Sequence, residues 1–319
     1  MTNAGAFTIA TFNLENLDFS PARAEEFELR AAALRPILVR LGADILCLQE
    51  IHARKTPGGP RRFVALERLL EGGPYADFHL ALSHRPGGDE PADVHNLAIV
   101  SRWPILDRRQ LHHDIVGAWR WTPPDENGGA AEPLEIRFDR PLLYAKIDAP
   151  FGALHVIDLH LRAPRPAPVA TARGLGSARG RALGQFLAAQ KGEAQALEAR
   201  LFVDEIFDAE PEAMIAVCGD FNVDAHEAPS KILRGGREED RPPDPRALTP
   251  IEERIAAAQR YSVVHAGRRT LIDHIFVSQA LGRACSGAQI FNEGLADEAF
   301  APDFVAGSLH APVAATFSF

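Results

Sequence analysis

Short apolar runs rich in β-branched residues recur along the chain and are separated by polar, Gly- and Pro-containing stretches. Such runs, bounded by turn residues, are typical of buried strands. The pattern predicts strands in the segments FTIATFNL, ADILCLQEI, HNLAIVS, LLYAKIDA, ALHVIDLHL, AMIAVCGDFN, LIDHIFVS and APVAATFSF. None approaches the length of roughly eighteen apolar residues needed to span a bilayer, so we expect no stable membrane association.

Two other segments repeat their apolar residues at helical spacing. Residues 22–42, ARAEEFELRAAALRPILVRLG, predict one helix that ends at Gly42, and residues 178–207 predict one or two helices. Strands and helices alternate at the start and in the middle of the chain, whereas strands follow one another directly elsewhere. This mixture predicts mixed β-sheets flanked by helices.

The composition is that of an ordinary globular protein, with 46% hydrophobic and 24% charged residues. A length of 319 residues leaves one or two domains open. The net charge of -9 disfavours non-specific binding to nucleic acid. It does not exclude a site that binds phosphate through a metal, because carboxylates that hold a cation are themselves negative.

The N-terminal segment lacks the basic start and long apolar stretch of an export signal, so a cytoplasmic location is expected. Cys47, Cys218 and Cys285 are widely separated, and the first two lie in apolar runs. We therefore interpret the three as reduced core residues.

Many of the predicted strands end in a polar residue that is able to bind a metal, transfer a proton or contact phosphate. Groups at strand ends converge on one rim in α/β folds, where ligands bind. The residues are Asn13, Glu50, Arg102, His160, Asp220, Asn222, Asp273 and His310.

Each of these residues has a structural interpretation when taken alone. Asn13 can cap a turn, Glu50 can pair with a lysine, and a single histidine is more often structural than catalytic. GDFN is a stronger signal, because it places Asp220 and Asn222 directly after a buried strand. Together the residues suit hydrolysis of a phosphate ester, which needs a divalent cation, a group that prepares water, and donors for the developing charge.

The segments TFNLENL, DILCLQE, NLAIVSRWPI, VIDLHLRAPRP, VCGDFNVD, LIDHIFVS and SLHAPVAATF occur in the order found in the endonuclease/exonuclease/phosphatase superfamily. The chain resembles that family over nearly its whole length. The resemblance implies a four-layer α/β sandwich, with two mixed β-sheets packed face to face and helices outside. It also implies that residues 1–319 form a single domain.

The resemblance further implies roles for the residues at the strand ends. Asn13 and Glu50 would help to bind Mg²⁺ or Mn²⁺, and Arg102 would approach phosphate. His160 would contact the scissile phosphate or assist the leaving group. The remaining roles are that Asp220 activates the attacking water, Asn222 donates to a phosphoryl oxygen, and Asp273 holds the imidazole of His310.

Leu309 departs from the family pattern, in which an aspartate near the metal usually precedes the final histidine. Three interpretations stay open. A site built mainly on Glu50 and Asn13 tolerates the loss, or another acid such as Asp303 or Asp297 reaches in. The third is that the protein is catalytically weakened or inactive and keeps the fold for binding.

The main functional hypothesis is therefore a Mg²⁺- or Mn²⁺-dependent phosphodiesterase or nuclease that acts by in-line attack of water. Its partner is a phosphate-ester substrate, with DNA, RNA, a phosphoinositide, a sphingomyelin-like lipid and a small nucleotide as candidates, and no protein partner is identifiable. The alternative is a binding or scaffold protein of the same fold. Trp119 and Trp121, on a polar loop, either stack on substrate or anchor the loop.

Overall fold

Two six-stranded sheets form the centre of the computed structural model, which describes residues 5–56, 58–123, 132–168, 174–235 and 244–319. The first sheet contains, in spatial order, β17 (Cys285–Ile290), β18 (Val313–Phe317), β1 (Phe7–Leu17), β2 (Ile45–Ile51), β6 (Asn96–Ser101) and β5 (His79–Leu82). The second contains β13 (Thr249–Pro250), β16 (Asp273–Val277), β12 (Met214–Asp220), β11 (Gly152–His160), β10 (Leu142–Ala149) and β7 (Ile105–Leu111).

Helices and short hairpins complete the described part of the chain. The helices are α1 (Ala24–Leu41), α2 (Val64–Leu70), α3 (Ala178–Ala209), α4 (Ala228–Arg234) and α5 (Gln279–Arg283). Single 3-10 turns cover Pro21–Arg23, Gly174–Gly176, Ile251–Arg254, Ala257–Gln259 and Glu298–Phe300. The hairpins pair β3 (Arg54–Lys55) with β4 (Arg61–Arg62), β8 (Trp119–Trp121) with β9 (Leu134–Ile136), and β14 (Val263–His265) with β15 (Arg268–Thr270).

Each large sheet is mixed because it contains one parallel pair joined by a helical crossover. Strands β1 and β2 are parallel and connected through α1, and β11 and β12 are parallel and connected through α3. The neighbouring pairs in both sheets are antiparallel. The carboxyl ends of these four strands, one parallel pair from each sheet, carry the candidate site.

The apolar side chains form three main layers of packing. One cluster lies between the sheets and includes Ile9, Ile45, Val156 and Ile275. A second packs the outer face of the first sheet against α1 and α2, and a third packs the outer face of the second sheet against α3. The order of layers is thus helix, sheet, sheet, helix, and the predicted four-layer sandwich is confirmed. That residues 1–319 form one domain stays a prediction.

Both predicted helices are present. Gly42 ends α1 in the left-handed conformation, with φ at 51°, and its N–H donates to the carbonyl of Leu38. Glycine pays no Cβ penalty there, which is why the helix ends at this residue. The second segment forms one continuous helix, α3, whose first turn is capped by the Ser177 side chain accepting from the N–H of Gly180.

The remaining structural expectations concern the cysteines, the tryptophans and the membrane. All three cysteines are buried and unbridged, as predicted. Trp119 and Trp121 are half-buried and pack on the small cluster around Leu187, which favours the anchoring interpretation; residues 124–131 of their loop lie outside the described residues. No helix in the described part is long and apolar enough to cross a bilayer.

Candidate active site

Strand register in the second sheet places three of the predicted residues side by side. His160, the last residue of β11, is directly opposite Asp220, the last residue of β12. Asp220 is in turn opposite Asp273, the first residue of β16. Because side chains at directly opposed positions lie on the same face of a sheet, all three point toward the first sheet. The sheet thereby brings into one row His160, Asp220, which is 60 positions later in the sequence, and Asp273, which is 113 positions later.

Glu50 reaches this row only because β2 is irregular near its end. Gln49 points between the sheets, where its amide donates to Asp158 at 2.6 Å, so in a regular strand Glu50 would face the other way. Glu50 instead has a φ of 60°, and the pairing of β2 with β6 shifts register between Leu48 and Ile51. A left-handed conformation is strained for glutamate, and such strain is concentrated at functional sites.

Asn13 connects the acids of the two sheets. Its amide nitrogen donates to Asp220 at 2.9 Å and to Glu50 at 3.3 Å, while its amide oxygen accepts from the N–H of Glu15 at 2.8 Å. The backbone N–H fixes the orientation of the amide, because only an oxygen can accept from it. In this arrangement Asn13 presents donors to the acids. It thereby orients both carboxylates, and the expectation that Asn13 helps to bind a cation stays a prediction.

His160 lies between the carboxylates of both sheets. Its Nε2 is 3.3 Å from Asp220 Oδ2 and 3.8 Å from Glu50 Oε1. Burial, reinforced by the nearby positive charge of Arg140, holds the pKa of His160 well below its usual range, so the ring is neutral. Its Nδ1 is buried and has no hydrogen-bond partner among the described residues. A buried polar atom without a partner is uncommon in folded proteins.

Asp220 of this row and the adjacent His310 also have strongly shifted pKa values. Burial and the neighbouring Asp273 raise the pKa of Asp220 to about 7. The N–H of Asn222 donates to Asp220 at 2.7 Å, in a turn where Asn222 has a φ of 57°. Burial opposes the charge of His310, but the Asp273 carboxylate raises the pKa of His310 to about 10. Near neutral pH the site thus holds an acid close to its pKa beside an imidazolium.

The donor atoms form two overlapping groups suited to a cation. Glu50, His160 and Asp220 make one group and Asp220, Asp273 and His310 the other, each with ligand atoms within 4.8 Å of one another. Carboxylate oxygens are the ligands that Mg²⁺ and Mn²⁺ prefer. The second group contains the imidazolium of His310, which repels a cation. The group around Glu50 is therefore the better metal site.

The structure does not bring Arg102, predicted to approach phosphate, to this cluster. Arg102 follows Ser101, which pairs with Ile45 at the beginning of β2, and its guanidinium contacts Asp44 at 3.0 Å. Glu50 lies five residues further along β2, which is about 16 Å at the rise of an extended strand. The apolar run that ends at Arg102 is antiparallel to β2, so its end lies at the opposite edge of the sheet.

Sequence reasoning missed two residues that do face the cluster. Arg140, just before β10, has a buried Nη1 without a hydrogen-bond partner among the described residues, and its charge interacts with Glu50, Asp220 and His160. His95, just before β6, has its Nδ1 3.9 Å from Glu50 Oε2. Both residues stand before strands. An antiparallel strand begins at the edge of the sheet where its neighbour ends, so residues just before β6 and β10 lie near the ends of β2 and β11. This was the only signal in the sequence that could have identified them.

Leu309 does not contribute its side chain to the cluster, and neither acid considered as its replacement belongs to the two groups of possible metal ligands among the described residues. The Asp297 carboxylate accepts hydrogen bonds from the backbone N–H groups of Ala266, Gly267 and Ala299. These exposed hydrogen bonds hold the carboxylate at the protein surface. Asp303 belongs to neither group of acids and histidines among the described residues. Leu309 is 7% exposed, and its N–H donates to Glu15 Oε2 at 2.7 Å.

Comparison with known proteins agrees with this architecture. The model of the Endonuclease/Exonuclease/phosphatase family matches residues 10–308. A search of curated proteins found no match. Among solved structures, a family protein from Bacteroides thetaiotaomicron is similar at 14% identity and a TM-score of 0.60, covering 98% of this chain and 95% of that one.

Two further structures share the fold. Truncated TDP2 from Caenorhabditis elegans is similar at 16% identity and a TM-score of 0.56, with 98% of both chains covered. The 3′ phosphatase NExo from Neisseria, solved with a product DNA hairpin, is similar at 18% identity and a TM-score of 0.52. The similarity covers 98% of this chain and 100% of that one. The family match spans more than half of the chain, so the chain belongs to the Endonuclease/Exonuclease/phosphatase family.

Proposed function

We propose that this member of the Endonuclease/Exonuclease/phosphatase family is a Mg²⁺- or Mn²⁺-dependent phosphodiesterase that hydrolyses its substrate by in-line attack of water. Members of the family are hydrolases that act on phosphoester bonds, usually with a divalent metal. The observation that carries the proposal is the position of Asp220. It lies in register between His160 and Asp273, and it hydrogen-bonds Asn13 across the two sheets.

Asp220 is the group that prepares the attacking water. An efficient general base has a pKa near the working pH, and burial with the Asp273 charge raises the pKa of Asp220 to about 7. The N–H of Asn222 and the amide of Asn13 hold one carboxylate oxygen each. These two hydrogen bonds fix the direction in which the carboxylate accepts a proton.

Positive and donor groups surround the position of the substrate phosphate. Arg140 presents its unpartnered Nη1, and His310 is an imidazolium held by Asp273 at 2.8 Å. His160 and the remaining amide hydrogen of Asn222 supply neutral donors. Donors fixed in advance stabilise charge that develops on phosphoryl oxygens, because they need no reorganisation during the reaction.

The donor set fits a divalent cation at Glu50. The Glu50 carboxylate is held by the N–H of Asn16 at 2.9 Å and by Asn13, and possible ligand atoms of Asp220 and His160 lie within 4.8 Å of it. When bound, the cation would neutralise phosphoryl charge and lower the pKa of water. The residues of this chain orient the substrate and accept the proton.

A non-catalytic binding protein is the second candidate, and Leu309 is the observation that favours it. The aliphatic side chain removes an oxygen from the family pattern. The buried charges of the site argue against this candidate. An unpaired buried acid destabilises a fold, so gathering several acids in one place has no structural benefit. DNA enters the substrate screen first, because one solved structure similar to this chain holds a DNA product.

Hydrolysis of bis(p-nitrophenyl) phosphate with Mg²⁺ or Mn²⁺ tests the proposal. We expect turnover by the wild type that EDTA abolishes and that Asp220→Asn lowers by about 10²- to 10⁴-fold, the usual contribution of a general base. Asp297→Asn, which removes a carboxylate remote from the row, serves as the matched control. Equal rates for the wild type and Asp220→Asn, on this substrate and on DNA, would favour the binding protein.

A further inference from the structure

A segment without acidic residues runs from the active site into α3. Residues 159–192 begin one position before His160 and contain five arginines and one lysine, but no aspartate or glutamate. The whole chain has a net charge of -9, so this run departs strongly from the average composition. A basic segment in an acidic protein indicates a surface for an anionic partner.

The first turns of α3 extend beyond the edge of the sheets that carries the active site. Gln195 lies at the level of this edge, because it accepts from the N–H of Arg162 at 2.9 Å and donates to the carbonyl of Arg140 at 3.2 Å. The carbonyl of Gly184, eleven residues earlier in α3, accepts from the N–H of Ala167 at 2.9 Å. At 1.5 Å per residue, Gly184 lies about 16 Å from Gln195 along the helix.

This part of α3 forms a wall beside the active site. The helix runs toward the beginning of β12 at the opposite edge of the sheet, so its earlier residues stand above the row. The hairpin of β8 and β9 packs on the same stretch of helix, at Leu187. We call residues 163–168 and 178–191, with this hairpin, the α3 wall.

The α3 wall carries an aromatic pair. The ring centroids of Trp121 and Phe186 are 5.5 Å apart, and the ring planes are inclined at 46°. Trp121 is half-buried in the cluster around Leu187, which fixes its indole, whereas Phe186 is 45% exposed. An exposed ring that is supported by a fixed one provides a face on which a planar base can stack.

Two exposed arginines lie on the same wall. The Nη1 of Arg181 donates to the carbonyl of Leu175 at 3.2 Å, which leaves its other donors unused. Arg165 stands two residues before Ala167, where the chain is bound to α3. Neither arginine forms an ion pair within the described part of the chain. Their charges are therefore available to phosphate groups.

We propose that the α3 wall binds the part of a single-stranded nucleic acid that flanks the scissile phosphate. The inference rests on the function proposed above and names the class of substrate. Arg165 and Arg181 contact backbone phosphates, and an unpaired base stacks on Phe186. A base stacked within a duplex has no free face for this ring. The surface reads no sequence, because every base has a π-face.

The arrangement favours a nucleic acid over a lipid surface. A membrane-binding surface presents several apolar side chains together, with basic residues on the opposite face of the helix. Here one strongly exposed ring lies near arginines in a segment that starts at the active site. Aromatic rings alternating with basic groups beside a phosphoesterase site fit a chain of bases and phosphates.

Hydrolysis of a short oligothymidylate, compared with bis(p-nitrophenyl) phosphate, tests the stacking role. We expect Phe186→Ala to lower kcat/KM on the oligonucleotide by about 5-fold or more, the effect of losing one stacked base. Its rate on bis(p-nitrophenyl) phosphate should be unchanged, because this substrate is too small to reach Phe186. Phe300→Ala removes a ring that is 79% exposed in another turn and is the matched control.

Fluorescence anisotropy of the labelled oligonucleotide in EDTA tests the electrostatic role without turnover. Loss of one phosphate contact in Arg181→Gln should reduce the slope of log affinity against log salt by about 0.7. Arg283→Gln is the control, because Arg283 is also exposed but pairs with Glu212 on α5's side of the molecule. It should leave the slope unchanged.

The other outcomes overturn the proposal or separate it from the proposed function. Wild-type turnover of both substrates, with kcat/KM and binding unchanged in Phe186→Ala and Arg181→Gln, would remove the α3 wall from substrate binding and leave the hydrolase standing. If the wild type turns over neither substrate, the proposed function fails, and anisotropy alone decides whether the wall binds nucleic acid. Tighter binding of a duplex that Phe186→Ala does not affect would contradict stacking. Binding to phosphatidylserine vesicles, lost in Phe186→Ala and without oligonucleotide binding, would assign the wall to a lipid surface instead.

Discussion

His310 Nδ1 lies 2.8 Å from Asp273 Oδ2, and both side chains are largely buried. The two residues come from the turn before β18, a strand of the first sheet, and from the beginning of β16 in the second. Their contact therefore fixes the imidazolium across the junction of the sheets. The ion pair places a positive charge beside Asp220, the acid that connects the two groups of possible metal ligands.

Asp273→Asn should move the alkaline limit of activity. In the wild type the pKa of His310 is raised to about 10, so the imidazolium persists through mildly alkaline pH. Without the carboxylate its pKa falls toward the ordinary value of about 6.5, because only the weaker effects of Asp220 and Glu50 then oppose burial. We expect pH–rate profiles to show a loss of about 10-fold or more at pH 8 for the variant. An alkaline limb that stays in place would show that the charge of His310 is not used in turnover.

Arg140→Met and Arg102→Met should behave differently, although both residues are arginines near strand ends. Arg140 faces the acids and has an unpartnered buried Nη1, so its loss should lower kcat/KM by about 10². Arg102 lies at the opposite edge beside Asp44, and its replacement should leave kcat/KM within about twofold of the wild type. Steady-state kinetics on one phosphodiester checks both. Equal losses of kcat/KM in the two variants would show that Arg102 contributes to turnover as much as Arg140 does.

Glu252→Gln should destabilise the fold beneath the site. Glu252 pairs with His274 Nδ1, both are buried, and His274 Nε2 donates to the carbonyl of Val223 at 2.9 Å, just after the GDFN turn. Breaking a buried pair costs about 3–5 kcal/mol. Chemical unfolding near pH 6 measures this loss. Glu298→Gln, which breaks the exposed pair with His265, is the control and should cost under about 1 kcal/mol.

The same pair predicts a pH dependence of stability. Burial opposes the charge of His274, but Glu252 raises its pKa above the ordinary value. A raised histidine pKa stabilises the folded state fully below the unfolded pKa of about 6.5. That stabilisation is lost as pH rises through the folded pKa. Unfolding free energies measured from pH 6 upward should fall for this reason in the wild type and less steeply in Glu252→Gln. Parallel curves would contradict the charged state of His274.

Gly219→Ala should disrupt the junction of β11 and β12. Gly219 has a φ of 143°, and a Cβ there would lie 1.9 Å from the carbonyl oxygen of Leu159. Neither the backbone strain nor this clash is relieved by moving a side chain, so we expect a loss of about 3 kcal/mol or more. Gly287→Ala, where a Cβ meets nothing within 4 Å, should change stability by less than about 1 kcal/mol. Thermal melts of the two variants make the comparison.

The sequence alone determined the elements and most of the residues at their ends. Gly42 ended α1 and the apolar runs marked the central strands, because these signals are local in the chain. Asp220, His160 and Asp273 were found for the same reason, as polar residues at the ends of buried runs. Their roles as catalytic groups stay a prediction.

Tertiary structure decided which strand ends meet and how each side chain is turned. The antiparallel pairing of β6 with β2 sent Arg102 to the far edge, while the beginnings of β6 and β10 brought His95 and Arg140 to the site. The backbone irregularity at Glu50 turned its side chain away from the side expected from strand alternation, and the bulge after Asn13 placed Leu17 on the outer face of its sheet. Strand direction and bulges are set by contacts between distant segments, which no local pattern of hydrophobic and polar residues records.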